Sequence, residues 1–263
     1  MSSKTEPQRE ETIVDILMYH SISDSGGPTS IHPSVFKAHM DAIEEAEVPV
    51  ITLDDYMTAR NGEKGLAPHS IIITFDDGFV DFADEAYPIL KSKGFDAIVY
   101  LPTGCLGGEE NWRGCNAPAR KLMDWGQVQE LYQDGALFGS HTVHHPDLDS
   151  LITVDLIEEL RASRIELEDR LGTEIRHFAP PYGVADHFAR TTIERLYHTS
   201  VGTIFERATL DSDIVDLPRL EMFYYASPER WRRHVQGKGE GYMMTRRAMR
   251  KARGVVAKPW DRA

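Results

Sequence analysis

Cysteine is scarce: the chain of 263 residues holds two, Cys105 and Cys115, ten apart in a glycine-rich stretch. So few thiols exclude a disulfide framework and a cysteine-rich zinc module, and a reduced pair in a loop is the expectation. Long apolar runs are missing too. No stretch reaches 18 uninterrupted apolar residues, the length a membrane-spanning helix needs. Residues 1–11 are polar and acidic, without the apolar segment of a secretory leader, so a cytoplasmic location is expected. Positive charge is in deficit. The net charge is −13, from 29 Lys and Arg against 42 Asp and Glu, which argues against a nucleic-acid binder. The deficit is uneven: from Arg230 onward 11 basic residues face 2 acidic ones, leaving 18 against 40 before it. No internal repeat or low-complexity block is present, and no GxGxxG follows the first strand candidate, so a dinucleotide-binding fold has no support.

What the chain does contain is an alternation. Its composition, 41% hydrophobic and 27% charged, is that of a globular domain with enough length for a sizeable core. Apolar, β-rich runs at 12–19, 49–53, 70–75, 97–101, 136–140, 175–179, 199–204 and 215–223 predict strands. Amphipathic runs at 34–47, 79–93, 125–133 and 153–171 predict helices, with Gly94 and Gly172 as stop signals. Alternation of this kind implies parallel strands with helices outside them, and seven or eight such units imply an α/β barrel. Three regions follow: a polar tail at 1–11, a barrel domain at 12–229, and a basic C-terminal extension at 230–263.

Three segments at strand ends carry chemistry. Thr74-Phe75-Asp76-Asp77-Gly78 brings two adjacent carboxylates to the C-terminal end of the most apolar strand, where parallel α/β folds keep their active sites. Like charges this close call for a cation or a raised pKa; the competing reading is an Asp-Gly turn capping a helix. Gly139-Ser140-His141-Thr142-Val143-His144-His145-Pro146 follows another strand, and a spacing of four places His141 and His145 on one side of a helical turn. Two imidazoles and a carboxylate make a three-ligand metal site with a position open for water. His144, between them, is expected to face solvent. Phe178-Ala179-Pro180-Pro181-Tyr182-Gly183 is a rigid turn that can hold a backbone N–H at a reacting oxygen.

Together these segments resemble the polysaccharide deacetylase family, metal-dependent carbohydrate esterases that include chitin and peptidoglycan deacetylases. The likeness runs from Ile16 to about Phe223, and Met18-Tyr19-His20, Pro88-Ile89-Leu90 and Met123-Asp124-Trp125 are similar to its bacterial branches. The resemblance implies a distorted (β/α)7 barrel and a hydrolase of carbon–nitrogen amide bonds that removes acetyl from an N-acetylated sugar. It implies that Asp77, His141 and His145 bind a divalent metal, zinc foremost, with cobalt and nickel also suited to the donor set. It also implies that Asp76 is the base, that the Tyr182 N–H helps form the oxyanion hole, and that Pro181 and Tyr182 lie beside the substrate.

The chain departs from the family pattern at two points. Ala179 stands where many members carry the arginine that pairs with the base, and Arg219, near the end of a late strand candidate, is the candidate replacement; a surface arginine is the alternative. The late Leu-x-His acid is matched only by Leu196-Tyr197-His198, which comes too soon after Tyr182, so His20 is the better candidate for the acid or for a partner of it. Trp112 is a candidate sugar contact, and Trp125 reads as helix packing. The basic extension suits a peripheral membrane or anionic-substrate contact, or a helix docked on the acidic body. Two other functions compete: hydrolysis of another amide, such as a cyclic one, and a non-catalytic carbohydrate-binding relative.

Overall fold

Strands with apolar residues at both parities must be covered on both faces, and this chain meets that demand by curling its sheet. The computed structural model describes residues 12–115 and 118–254. Its strands are β1 (Ile13–Tyr19), β2 (His69–Phe75), β3 (Ala97–Leu101), β4 (Leu137–Ser140), β5 (His177–Phe178), β6 (Thr199–Ser200), β7 (Ala208–Thr209) and β8 (Leu220–Glu221). They form one sheet in the order β6-β5-β4-β3-β2-β1-β7, with β8 also paired to β1. Every pairing is parallel except that of β7 with the start of β1. A thin seam joins the two ends of the curl. Val201 bridges Leu217 in parallel, the Leu217 N–H donates to the Ser200 carbonyl at 2.9 Å, and the Gly202 N–H donates to the Leu217 carbonyl at 2.8 Å. Seven parallel staves thus surround the interior, the distorted (β/α)7 barrel that the motifs implied.

Residue parity decides what lies inside. Val14, Ile16, Ile72, Ile98, Tyr100, Ala179, Val201 and Leu217 form the inner cluster. Residues of opposite parity, such as Leu17, Ile71, Ile73, Phe75 and Val99, pack outward on the helices. The interior is narrow: a Cβ on Gly139 would lie 2.6 Å from a Tyr100 ring carbon and 2.8 Å from the His177 carbonyl, so only glycine fits there.

The helices are α1 (Pro33–Glu45), α2 (Leu53–Arg60), α3 (Tyr87–Lys93), α4 (Trp125–Gln133), α5 (Thr153–Leu171), α6 (His187–Leu196), α7 (Pro228–Arg233) and α8 (Glu240–Gly254). Several differ from the periodicity. The run at 49–53 is no strand beyond one bridge from Val50 to Ile71, because a Thr52–Asp55 capping box starts α2 at Leu53. The helix expected at 79–93 begins as a π turn, Phe82–Ala86, before α3. The late strands shrink to two residues each, and Met222–Tyr225 is a 3-10 turn.

Residues 228–254 pack on the barrel through a buried polar cluster. Residue 229 lies inside α7, whose wholly buried Trp231 donates its indole N–H to the His39 carbonyl at 3.1 Å. Buried Asp15 on β1 faces His69 Nε2 at 2.8 Å, His234 Nε2 at 2.9 Å and Arg207 Nε at 3.2 Å. Burial pushes the Asp15 carboxyl up, but His234, His69 and Arg207 outweigh it and hold it well below the usual carboxylate range. No described helix is long and apolar enough to cross a membrane.

Removing one partner of a buried ionic cluster strands the others, so Asp15→Ala is expected to lower unfolding stability by about 3–5 kcal/mol, measured by urea titration. Because the native pKa is depressed, the pairing contributes fully above about pH 4 and is lost as pH falls below that value. Stability should therefore drop less steeply on acidification in Asp15→Asn than in the unsubstituted chain.

Candidate active site

The mouth of the barrel is built by strand parity and then adjusted by backbone turns. His20 continues the inward parity of Val14, Ile16 and Met18 past β1, and Asp76 continues that of Ile72 and Thr74 past β2. Asp77 would point outward by the same alternation. It adopts φ 75 instead, a left-handed conformation that returns its carboxylate to the mouth. The two adjacent carboxylates thereby face different partners. Asp76 is met by Arg219, with Nη1 donating to Oδ1 at 2.7 Å and Nη2 to Oδ2 at 2.8 Å. His20 Nε2 stands 3.9 Å from Asp76 Oδ2. Burial pushes Asp76 up, but the charge and hydrogen bonds of Arg219 prevail, with His20 and His141 adding to them, and the carboxyl lies below its ordinary range.

Asp77 faces the two imidazoles: its Oδ1 is 3.4 Å from His141 Nε2 and 3.2 Å from His145 Nε2. The spacing of four does not operate through a helical turn. Thr142 at φ 71 and His145 at φ 56 fold the segment back on itself. Glu159 of α5 pins it, accepting from the Val143 and His144 N–H groups at 2.8 and 2.9 Å. His144 is solvent-facing and pairs with the same Glu159. His141 Nδ1 donates to the Ala179 carbonyl at 2.6 Å, which fixes the ring and leaves Nε2 turned to the site. Burial pushes His141 down, yet its hydrogen bond to Asp77 and the charges of both aspartates leave it above its ordinary value. His145, also driven down by burial, stays below. The three donor atoms lie within 4.8 Å of one another and all three residues are buried. One carboxylate and two imidazoles, converging and sequestered, fit a divalent metal with a position left open.

The remaining expected residues gather at the same cleft, with two exceptions. Pro180, Tyr182, Gly183 and Trp112 line it beside His20, Asp76, Asp77, His141 and His145. Pro181 is buried in the turn and its neighbours form the wall. Gly183 is required twice over: φ is 68, and a Cβ would lie 2.2 Å from Thr203 Cγ2. His198 is far more exposed, its side chain at 54%, and its partner is Glu174 at 3.9 Å. It precedes β6, at the end of the staves opposite the mouth, so Leu196-Tyr197-His198 does not supply an acid. Trp125 packs partly against the core and under Arg170, as expected.

Cleft residues that sequence reasoning did not single out include Thr203, Glu221, Glu110 and Arg120, and Arg250 was read only as one cation of the basic extension. Arg250 is the one described residue of 230–254 on the wall. Its guanidinium donates to the Thr203 carbonyl at 2.7 Å and lies against Tyr224 and Phe205. The repeat of Tyr242, Arg246 and Arg250 at intervals of four is the signal that marks one inward helix face. Several other cations of this segment are engaged elsewhere: Arg246 stacks on Tyr224 and Tyr242, Arg230 on Tyr242, Arg232 pairs with Glu45, and Arg247 pairs with Glu206. Cys105 and Cys115 are free thiols.

Comparison with known proteins bears on this geometry. The family profile described as Polysaccharide deacetylase matches residues 63–201, a span that contains Asp76, Asp77, His141, His145 and Tyr182 but neither His20 nor Arg219. The chain is 27% identical over 203 residues to the poly-beta-1,6-N-acetyl-D-glucosamine N-deacetylase of Staphylococcus epidermidis, covering 73% of this chain and 67% of that protein. It is 30% identical over 115 residues to a chitin deacetylase of Colletotrichum lindemuthianum, covering 44% of this chain and 40% of that protein. The solved structure of the Streptococcus pyogenes deacetylase PplD in complex with acetate matches with a TM-score of 0.70 at 25% identity, over 80% of this chain and 92% of that one.

A metal titration tests the donor set directly. The chelator-stripped chain should take up one Zn2+ per molecule in calorimetry, and His141→Ala, His145→Ala or Asp77→Ala should remove most of that uptake. Imidazole ligands must be deprotonated to bind metal, so affinity should weaken as pH falls. A binding isotherm independent of pH would contradict the assignment.

Proposed function

The chain belongs to the polysaccharide deacetylase family, hydrolases of sugar N-acetyl amide bonds, and from that premise we propose that it removes acetyl from an N-acetylated sugar using a divalent metal at Asp77, His141 and His145 with Asp76 as the base. The observation that carries the reading is the division of labour between the adjacent carboxylates: Asp77 converges with two imidazoles, while Asp76 is held ionised by Arg219 in the same cleft.

A metal at the three donors supplies Lewis acidity and lowers the pKa of water. The protein residues do the rest. Asp76 accepts the proton of the attacking water; a carboxylate has about four lone-pair sites, so the two bonds from Arg219 leave room for it. Arg219 is a positioning residue that keeps Asp76 charged and aimed. The Tyr182 N–H is assigned to the developing oxyanion, on a turn held at φ 60 by its proline pair and by Gly183. His20 is assigned the proton delivered to the departing amine from Nε2. Water and amide become acetate and a free amino sugar. Arg250, on the cleft wall, is assigned the anionic-substrate contact expected of the basic segment, and Trp112 is assigned to the sugar-facing wall. The non-catalytic alternative drew on the missing arginine at Ala179 and the missing late acid motif; Arg219 supplies the cation, and His20 is the proposed acid.

Acetate release over a panel of neutral and acidic N-acetyl sugars, from monosaccharide to oligomer, tests the reading; no release from any of them by metal-loaded protein would overturn it. Asp76→Asn should retain metal and lose about 10²–10⁴-fold in kcat, the usual contribution of a general base. Metal loss equal to that of Asp77→Ala would contradict the split of roles.

Arg219→Ala should lower turnover with metal retained. It should also move the acidic limb of the pH–rate profile to higher pH, since removing a cation makes Asp76 harder to ionise. Arg219→Lys should restore charge but not the bidentate geometry, and so recover only part of the activity. An unmoved acidic limb in Arg219→Ala would refute the link.

A further inference from the structure

His141 and His145 have equal rank as donors, yet their rings are held in different ways. His141 donates its second ring N–H to the Ala179 carbonyl. His145 Nδ1 is buried and has no hydrogen-bond partner among the described residues. A metal-ligating imidazole ordinarily gives its second N–H to a carboxylate, a carbonyl or water, and that bond fixes the ring. The backbone offers His145 no substitute, since φ 56 is a sparsely populated conformation for a residue other than glycine.

Aromatic contacts take the place of the missing bond. The Trp112 indole stacks on the His145 ring, with centroids 4.2 Å apart and planes 24° apart. The Tyr182 phenol meets it edge-on at 4.9 Å and 75°, and His141 does so at 4.9 Å and 68°. The Tyr182 side chain is bonded in turn by the backbone of Arg113, the residue after Trp112. A closed circuit results, running from Trp112 to His145, to Tyr182, and through Arg113 back to Trp112. The loop that carries Trp112 is itself tied down by two buried groups, Arg120 and Glu110, paired at 2.7 Å.

We propose that Trp112 is a positioning residue for the metal ligand His145, its indole stack replacing the absent hydrogen bond and coupling the seating of its loop to retention of the metal. This rests on the assignment of Asp77, His141 and His145 as the metal site. A tryptophan that served only as a platform for sugar would change substrate affinity and leave metal affinity alone.

The test measures metal, not turnover. Chelator-stripped protein is titrated with Zn2+ against a competing chromophoric chelator, in the unsubstituted chain, Trp112→Phe and Trp112→Ala. Partners of metal ligands typically matter 10–100-fold in affinity, so Trp112→Ala should lose at least about tenfold and Trp112→Phe, which keeps a ring to stack, should lose much less. Metal binding should also change the tryptophan fluorescence of the unsubstituted chain, and that change should vanish in Trp112→Phe. Equal Zn2+ affinity in all three, or a fluorescence change unaltered in Trp112→Phe, would overturn the proposal while leaving the metal site intact. Absence of Zn2+ binding by the unsubstituted chain would overturn both. Should Trp112→Ala fail to fold, the fluorescence comparison with Trp112→Phe still decides.

Discussion

The guanidinium of Arg219 reaches three parts of the barrel at once. Nε donates to the Gly202 carbonyl beyond β6 at 2.8 Å, Nη1 reaches Thr74 on β2 at 3.1 Å, and both Nη atoms grip Asp76. The residue is 1% exposed. A charge so fully removed from water is tolerated only where geometry satisfies it, and a bidentate carboxylate with two further acceptors does so. A contact that helps hold the thin side of the barrel is therefore also the one that keeps Asp76, the proposed base, ionised. Arg219 thus supplies to Asp76 the cation that Ala179, beside the proline pair, cannot.

Backbone strain is concentrated where the chemistry is. Five described residues other than glycine have positive φ, and four of them, Asp77, Thr142, His145 and Tyr182, line or shape the site. Each re-aims a group that regular strand geometry would have turned away. Asp77 escapes the outward parity of its position, His145 returns to face His141, and Tyr182 brings its ring against His145. Such conformations persist only when the surroundings over-determine them. Glu159 beneath the histidine segment and Thr203 against Gly183 are part of that surrounding frame.

Much of this was legible because short motifs and long periodic runs are local signals. The Asp-Asp pair, the two histidines and the proline turn each fall at the end of an apolar strand, and the longest strands, β1 and β2, were found nearly to the residue. What was illegible is non-local. Strands of two residues are defined by their partners across the barrel rather than by their own alternation, so the late runs were drawn too long. The antiparallel β7 has no periodicity at all in two residues. Arg219 could be named as a cation of the right kind, but its pairing with a residue 143 positions away belongs to the seam. The histidine spacing suggested a helix because spacing alone carries no φ. The stack of Trp112 on His145 joins two loops that share no pattern.

The seam also orders events in time. Staves β1 to β4 can pair as soon as they leave the ribosome, since each needs only a neighbour already made. The last stave cannot: β8 must travel back to β1 across roughly two hundred residues of sequence, the kind of long-range closure that comes late and slowly. Until it arrives, Asp76 lacks its guanidinium. A nascent or truncated chain ending before Arg219 contains Asp77, His141 and His145 but not the cation that pairs with Asp76, the proposed base. On the proposed roles, the metal donors are synthesised before the cation that tunes the base.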